Sequence, residues 1–340
     1  MSITIYGLDV AKRVFHLHWV EPSTGEIRSR KMGKPELIDF LSKRETGIVA
    51  LEACGSAHWW RRKLMAIGHQ VVLLHPKHVR AFVHGNKTNA ADAHAIWTAV
   101  QQPGMRSVAG KTEEQQTMLA LHRVRTALVK FRTAQVNQLR GLLYEFGLTF
   151  KSGHLAGLSE IRERMADIEE EIPDLLLELV REQLQRIDRV EADIKGAEKR
   201  IQQWLRRELT CKAIAAIPGI GPLTATALVA TMGDATAFKS GREFAAFIGL
   251  VPRQSGTGGK IRLLGISKRG DSYLRTLLIH GARAVLARGR EKAEWAEELR
   301  QRRPANVAAV ALANKMARTA WAVIAHQRPY QNDYVSHRPA

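Results

Sequence analysis

The sequence predicts a mixed α/β domain followed by an all-α remainder, and three observations carry that prediction. Short apolar or alternating runs separated by turn residues fill residues 1–105. Apolar residues at heptad spacing mark residues 106–208. Ala- and Gly-rich helical patterns with a cluster of Lys and Arg occupy residues 209–328. Three domains are expected on these boundaries, with residues 329–340 as a flexible tail.

The first region opens with "ITIYGLDV" (3–10), a short apolar run that ends near Asp9. "VFHLHWV" (14–20) alternates apolar and polar, as a strand with one buried face should. "EIRSRKM" (26–32) is a weaker strand. "GIVALEA" (47–53) is a continuous apolar run bearing Glu52, which suits a buried central strand, and "GHQVVLLHP" (68–76) is another. Helical patterns lie near 35–44, 57–67 and 89–101. The order is three sequential strands, then strands alternating with helices.

In the second region Leu121, Val124, Leu128 and Phe131 stand at helical spacing and predict one amphipathic helix. Pro173 precedes a second helix, in which Val180, Ile187, Ile194 and Ile201 recur every seventh residue. Leu177, Leu184 and Leu205 share a companion column that Glu191 and Glu198 interrupt. This coiled-coil-like seam suits an intramolecular hairpin, a dimerisation arm, or both.

Composition narrows the function class. Of 340 residues, 52 are Lys or Arg and 33 Asp or Glu, a net charge of +19. Such a chain binds polyanions through counterion release, and nucleic acid is the expected partner. An anionic membrane surface is the alternative, but no lone basic amphipathic helix supports it. No apolar run reaches the ~18 residues that suggest a span. "MSITIYGLDV" begins with a strand pattern rather than a leader peptide. Cys54 and Cys211 form neither a disulfide framework nor a zinc motif, so the cytoplasm is the expected compartment.

Three stretches could carry chemistry. Asp9 and Glu52 lie near strand ends and Asp92 at the start of a helix. Gathered together, such carboxylates need a hard cation, Mg²⁺ or Mn²⁺, and would support phosphodiester transfer; taken singly, each is an ordinary turn or cap residue. "IPGIG" (217–221) places Gly219 and Gly221 in a tight turn between helical runs, the pattern of a helix-hairpin-helix that holds a DNA phosphate, or of a plain αα turn. "SGTGGK" sets Ser255 and Thr257 in a glycine-rich loop among Arg253, Lys260, Arg262, Lys268 and Arg269. That loop suits a serine nucleophile flanked by cations, or a phosphate contact without a nucleophile. His16, His18, His75 and His78 show no zinc spacing and read as surface, core or phosphate-facing residues.

Taken in order, "YGLDVAKRVFHLHW", "ALEACGSAHWWRRKL", "VRAFVHGNKTNAADAHAI", "IPGIGPLTATALVA", "FAAFIGLVPRQSGTGGK" and "LLGISKRGDSYLRTLLIHGARA" resemble the DEDD-type insertion-sequence transposases, a family that includes pilin-segment-inverting recombinases. The resemblance covers nearly the whole chain. It implies a ribonuclease-H-like (RuvC-like) N-terminal domain binding Mg²⁺ through four acids, a coiled-coil region, and a C-terminal transposase domain with a nucleophilic serine. It also implies guidance by an element-encoded bridge RNA that pairs with donor and target DNA. Assembly as homodimers or homotetramers with composite sites follows too. On this resemblance Asp9 corresponds to the first acid, Glu52 to the second, Asp92 to the fourth and Ser255 to the serine, with Thr257 in reserve.

The third acid is where the chain departs from the pattern, because Asn89 stands there. An amide offers a carbonyl oxygen but no charge. The site is expected to work with weaker metal binding or to be inactivated; a one-residue slip in alignment would not help, since Asp92 is the sole acid from Lys77 to Gln101. The expected function is RNA-guided DNA strand exchange. The alternatives are a metal-dependent junction resolvase that uses water and a catalytically impaired nucleic-acid-binding copy.

Overall fold

The computed structural model describes residues 3–83, 88–288 and 294–332. They divide into two compact units, Met1–Gln116 with Met232–Lys239, and Thr117–Thr231 with Ser240–Ala340.

The first unit carries all five expected strands: β1 (Ile5–Val10), β2 (Val14–Val20), β3 (Ile27–Gly33), β4 (Ile48–Glu52) and β5 (Gln70–Leu74). Their order in the sheet is β3-β2-β1-β4-β5. β2 runs antiparallel to β1 and β3, while β4 and β5 run parallel to β1. The parallel pairs need crossovers. α1 (Lys34–Ser42) and α2 (Ala57–Ala66) supply them, and α3 (Pro76–Val79) and α4 (Asn89–Val100) follow β5. Side chains alternate between faces along each strand. Tyr6, Leu8, Phe15, Leu17, Val49 and Leu51 pack on Leu37 and Leu41 of α1 and Trp60 and Leu64 of α2. The opposite face is shallower, with Ala50 and Leu74 meeting Ala95, Ile96 and Ala99 of α4. β4 is buried between two strands, as its continuous apolar run predicts.

In the second unit α5 (Glu113–Tyr144, its first residues belonging to the first unit) and α8 (Asp174–Arg207) form an intramolecular antiparallel hairpin. Gln183 donates from Nε2 to the Gln135 carbonyl at 3.0 Å and to Gln138 Oε1 at 3.2 Å. Nearer the open end Arg125 pairs with Glu198 at 2.6 Å. Val180, Ile187, Ile194 and Ile201 are buried as expected, but the companion column differs from the one predicted. Gln183, Val190, Ala197 and Trp204 fill it, one residue before the Leu184 column. Of the predicted column, Leu177 is buried and Leu184 packs half-buried against the core; beyond them the column rides the seam's edge, where Glu198 can ion-pair, so the two glutamates do not interrupt the core.

α5 also departs from expectation. Its buried residues are Met118, His122, Val136, Leu139 and Leu143. Of the stripe Leu121, Val124, Leu128 and Phe131, Val124 and Phe131 turn away from the seam, 53% and 46% exposed, while Leu121 and Leu128 are half-buried. Two short helices the sequence did not signal, α6 (His154–Glu163) and α7 (Met165–Glu171), close the hairpin's tip, where Leu158, Ile161 and Ile168 join Val136, Leu139 and Leu143.

The rest of this unit is α9 (Leu209–Ala215), α10 (Pro222–Met232, its last residue in the first unit), α11 (Gly241–Ile248), β6 (Pro252–Thr257), β7 (Lys260–Ile266), α12 (Ser272–Ala287), α13 (Glu294–Arg302) and α14 (Ala305–His326). α14 is long and apolar enough to cross a membrane by length and composition alone. It contains Lys315 and Arg318, and its buried residues Ala309, Leu312, Ala313, Met316 and Ala320 recur at helical spacing, as in a core helix packed on α11 and α12. Of the tail expected at 329–340, residues 333–340 lie outside the described residues.

A buried polar contact ties α5 to α10 and α12. Thr226 Oγ1 donates to the Pro222 carbonyl at 2.7 Å, so it accepts from His122 Nε2 at 3.0 Å. His122 Nδ1 is then the acceptor for the Tyr273 hydroxyl at 2.9 Å. Burial, and secondarily Arg125, lowers the His122 pKa to about 4, which keeps this neutral tautomer in place.

Candidate functional site

The strand register sets the first group of side chains. Gly7 pairs with Ala50 and Leu8 with Leu51 across the parallel β1–β4 ladder. One step further, Asp9 lies beside Glu52 on the face that carries Gly7 and Ala50. Both carboxylates are half-buried, and both have further interactions in the fold. α4 crosses this face, pinned where a Cβ on Gly7 would come within 2.6 Å of the Trp97 backbone nitrogen and still closer to the Ala93 carbonyl. Only glycine permits that approach.

Thr88 caps α4, its Oγ1 accepting from the Ala91 amide at 3.2 Å. Asn89 is the first helical residue and is exposed, while Asp92 is half-buried immediately before Ala93. The fold thus places Asp9 and Glu52 on adjacent strands and Asp92 in the first turn of the helix docked over them. Their oxygen donors suit a hard divalent cation. Among the described residues, no three His, Cys, Asp or Glu side chains converge closely enough to hold a metal ion. Residues 84–87 of the motif containing Asn89 lie outside the described residues.

The histidines separate. His18 is 6% exposed, edge-on to His94 at 4.8 Å and to Trp97 at 5.4 Å. Burial, then His94, lowers its pKa, so it is a neutral core residue under α4. His16 is half-buried and pairs directly with Asp9 across β1 and β2. His75 caps α3, its Nδ1 accepting from the Lys77 amide at 3.2 Å.

In the second unit the IPGIG turn joins α9 to α10. Gly219 has φ 86°, and a Cβ there would stand 2.8 Å from Met316 Cε, 2.9 Å from the Gly281 carbonyl and 2.9 Å from Val285 Cγ2. Its lack of a side chain serves close packing on α12 and α14. Gly221 has open space around it and is exposed at the start of α10, where helix amides face outward.

The glycine-rich stretch is a β-hairpin rather than the flexible loop expected. Gly258 and Gly259 take φ 57° and 81°, the two positive values of a type I′ turn, and so set the β6–β7 register. Ser255 pairs with Arg262 and Thr257 with Lys260, so these four side chains share one face. The other face bears Ile261 and Leu263, 70% and 62% exposed. Arg253 sits at a register shift between Pro252 and Gln254. Lys268 adopts φ 53°, its amide donating to the Gly249 carbonyl at 3.2 Å, and the Arg269 carbonyl accepts from Arg275 at 3.3 Å. Arg253, Lys260, Arg262, Lys268 and Arg269 are all exposed. A hydroxyl facing a guanidinium on a cationic hairpin can meet a phosphodiester, with the cation positioned to stabilise charge on the non-bridging oxygens.

Two family models match the sequence. One, described as a transposase of the DEDD type, covers residues 6–147, and one described as the IS116/IS110/IS902 transposase family covers residues 211–298. The chain is 45% identical to a probable family 20 transposase of Pseudomonas aeruginosa, over 97% of this chain and 99% of that one. It is 40% identical to the transposase for insertion sequence element IS1328 of Yersinia enterocolitica, over 95% and 97% of the two chains. It is 23% identical to a pilin gene-inverting protein of Moraxella lacunata, over 97% and 98%.

Proposed function

Since this chain belongs to the IS116/IS110/IS902 family of insertion-sequence transposases, we propose that it breaks and rejoins DNA through Ser255, with a RuvC-like acidic site assisting. The observation that carries this reading is the pairing of Ser255 with Arg262 on the exposed cationic face of the hairpin. Ser255 Oγ attacks the phosphorus and loses its proton to solvent or a neighbouring base. The bond to the 3′ oxygen breaks, that oxygen takes up a proton, and a 5′-phosphoserine remains. The 3′ hydroxyl of another strand then attacks the phosphoserine, which forms the new phosphodiester and frees Ser255. Arg262 and Lys260 offset charge in both steps.

The first unit's sheet, helix placement and acids suit a ribonuclease-H-like domain. Asp9, Glu52 and Asp92, which do not converge to metal-binding distance in the structure, would have to draw together with the Asn89 carbonyl to hold Mg²⁺, or Mn²⁺ in its place. When bound, that cation would supply Lewis-acid stabilisation at phosphate oxygens. In the second unit, Arg253, Lys268 and Arg269, with the backbone at Gly221 and Gly219, contact donor and target DNA. The net charge of +19 suits a further polyanion, an element-encoded guide RNA. The outward α5 stripe suits a homodimer or homotetramer, and the compartment proposed is the bacterial cytoplasm, at the nucleoid.

Asn89 favours a second reading, in which the copy binds nucleic acid with impaired chemistry. A junction resolvase using water is the third, and it would ignore Ser255. The test mixes the protein, its element's RNA, and donor and target DNA with Mg²⁺, and scores joined product. A Ser255→Ala variant that recombines like the parent refutes the serine route. Salt-sensitive binding without strand cleavage in Mg²⁺ or Mn²⁺ supports the second reading.

A further inference from the structure

The register lines up more than the two carboxylates. His16 pairs with Asp9 across β1–β2, and Lys31 pairs with His16 across β2–β3. Paired residues project to one face. A single row therefore runs Lys31, His16, Asp9, Glu52 from β3 to β4 on the α4 side of the sheet. The opposite-face partners confirm the assignment: Phe15, Leu17 and Met32 lie in the α1–α2 core. With roughly 5 Å between neighbouring strands, the row spans about 15 Å.

In the next row back (Ser29, His18, Gly7 and Ala50), Ser29 is exposed and the other three lie under α4, where His18 is buried against His94 and Trp97. The Asp9 row is more open: Lys31 is exposed, and His16, Asp9 and Glu52 are half-buried. Its chemistry is graded, with an ammonium at one end, two carboxylates at the other and an imidazole between. A lysine at position 16 would ion-pair with Asp9 and compete with a cation there. An imidazole can donate an N–H to a phosphate oxygen without doing so.

We propose that His16 and Lys31 hold a DNA backbone phosphate next to the one that sits at Asp9 and Glu52, so that a nucleic-acid strand lies along this row. The proposal rests on the acidic-site reading above. It adds a phosphate track that this reading does not require.

The test measures equilibrium binding of a fluorescently labelled mixed-sequence DNA duplex and of its single strand, as a function of salt, without divalent cation. The proteins are the parent and the Lys31→Ala, His16→Ala, His16→Gln and Asp9→Ala variants. Lys31→Ala is expected to make the slope of log K against log[salt] shallower by about one. His16→Ala should weaken binding several-fold, and His16→Gln, which keeps an N–H donor, should restore it. Where strand cleavage is scored in Mg²⁺, both alanine variants should raise KM more than they lower kcat, with the Mg²⁺ midpoint unmoved. Parental slopes and affinities in Lys31→Ala and His16→Ala overturn the proposal, as does a shifted Mg²⁺ midpoint in His16→Ala. Cleavage that survives in Asp9→Ala instead overturns the acidic-site reading, whatever the binding slopes show.

Discussion

Gly7 of β1 lies directly beneath Ala93 of α4, and the missing side chain at position 7 lets the helix sit on the sheet one residue past Asp92. Backbone, not a flexible side-chain tip, would meet any Cβ placed there. Gly7→Ala should therefore push α4 off the strand and move Asp92 away from Asp9 and Glu52. An overpacking cost of about 1–3 kcal/mol is expected, with loss of strand cleavage while DNA binding by the second unit persists. Urea unfolding and a cleavage assay on the same preparation check this.

His122 makes stability depend on pH. Its pKa in the folded chain is held down at about 4 by burial, whereas an unfolded histidine titrates near 6.5. The unfolded chain therefore binds the extra proton between these values, and stability falls as pH drops through that window. The contribution is full above about 6.5 and amounts to roughly 3 kcal/mol. Thermal midpoints measured from pH 7 down to 4 should decline less steeply in His122→Gln than in the parent.

The α5 stripe predicts an interface. Val124 and Phe131 are exposed on the helix face away from the α8 seam. Val124→Glu with Phe131→Glu should leave the helical content unchanged, because neither residue fills the hairpin core. It should lower the mass seen by light scattering to that of a single chain. A mass equal to the parent's would remove the stripe from the assembly.

Asn89 is exposed on the first turn of α4, so an added carboxylate costs little in packing. Asn89→Asp should also sit well at a helix N-terminus. The expected outcome is a Mg²⁺ midpoint for cleavage lower by on the order of tenfold, since ligand charge sets affinity at such sites. Equal midpoints would show that the amide is sufficient.

Much of the fold was legible because its signals are local. A short apolar run located β1, strand alternation located β2, and the continuous run of β4 marked it as central. What the sequence left obscure depends on partners distant in the chain. Whether Leu184 or Gln183 fills the seam depends on the facing turn of α5, where Gln135 and Gln138 receive the Gln183 amide. The Val124 stripe is as apolar as the buried one, so periodicity alone cannot tell which of the two the seam takes. In the candidate site, Asp9, Glu52 and Asp92 stood out by position at element ends. His16 did not, because its meaning comes from sitting opposite Asp9, a relation fixed only by the β1–β2 register. The hairpin at Ser255 was readable from "TGGK" as a two-glycine turn between short strands, but the surrounding glycines and cations suggested a loop.

The most direct test of the central claim is a denaturing gel of end-labelled DNA incubated with the protein, the proposed element-encoded RNA and Mg²⁺, run for the parent, Ser255→Ala and Thr257→Ala. A covalent protein–DNA adduct is expected in the parent and in Thr257→Ala, and none in Ser255→Ala. Cleaved DNA without an adduct in the parent, or an adduct that persists in Ser255→Ala, would contradict attack by Ser255.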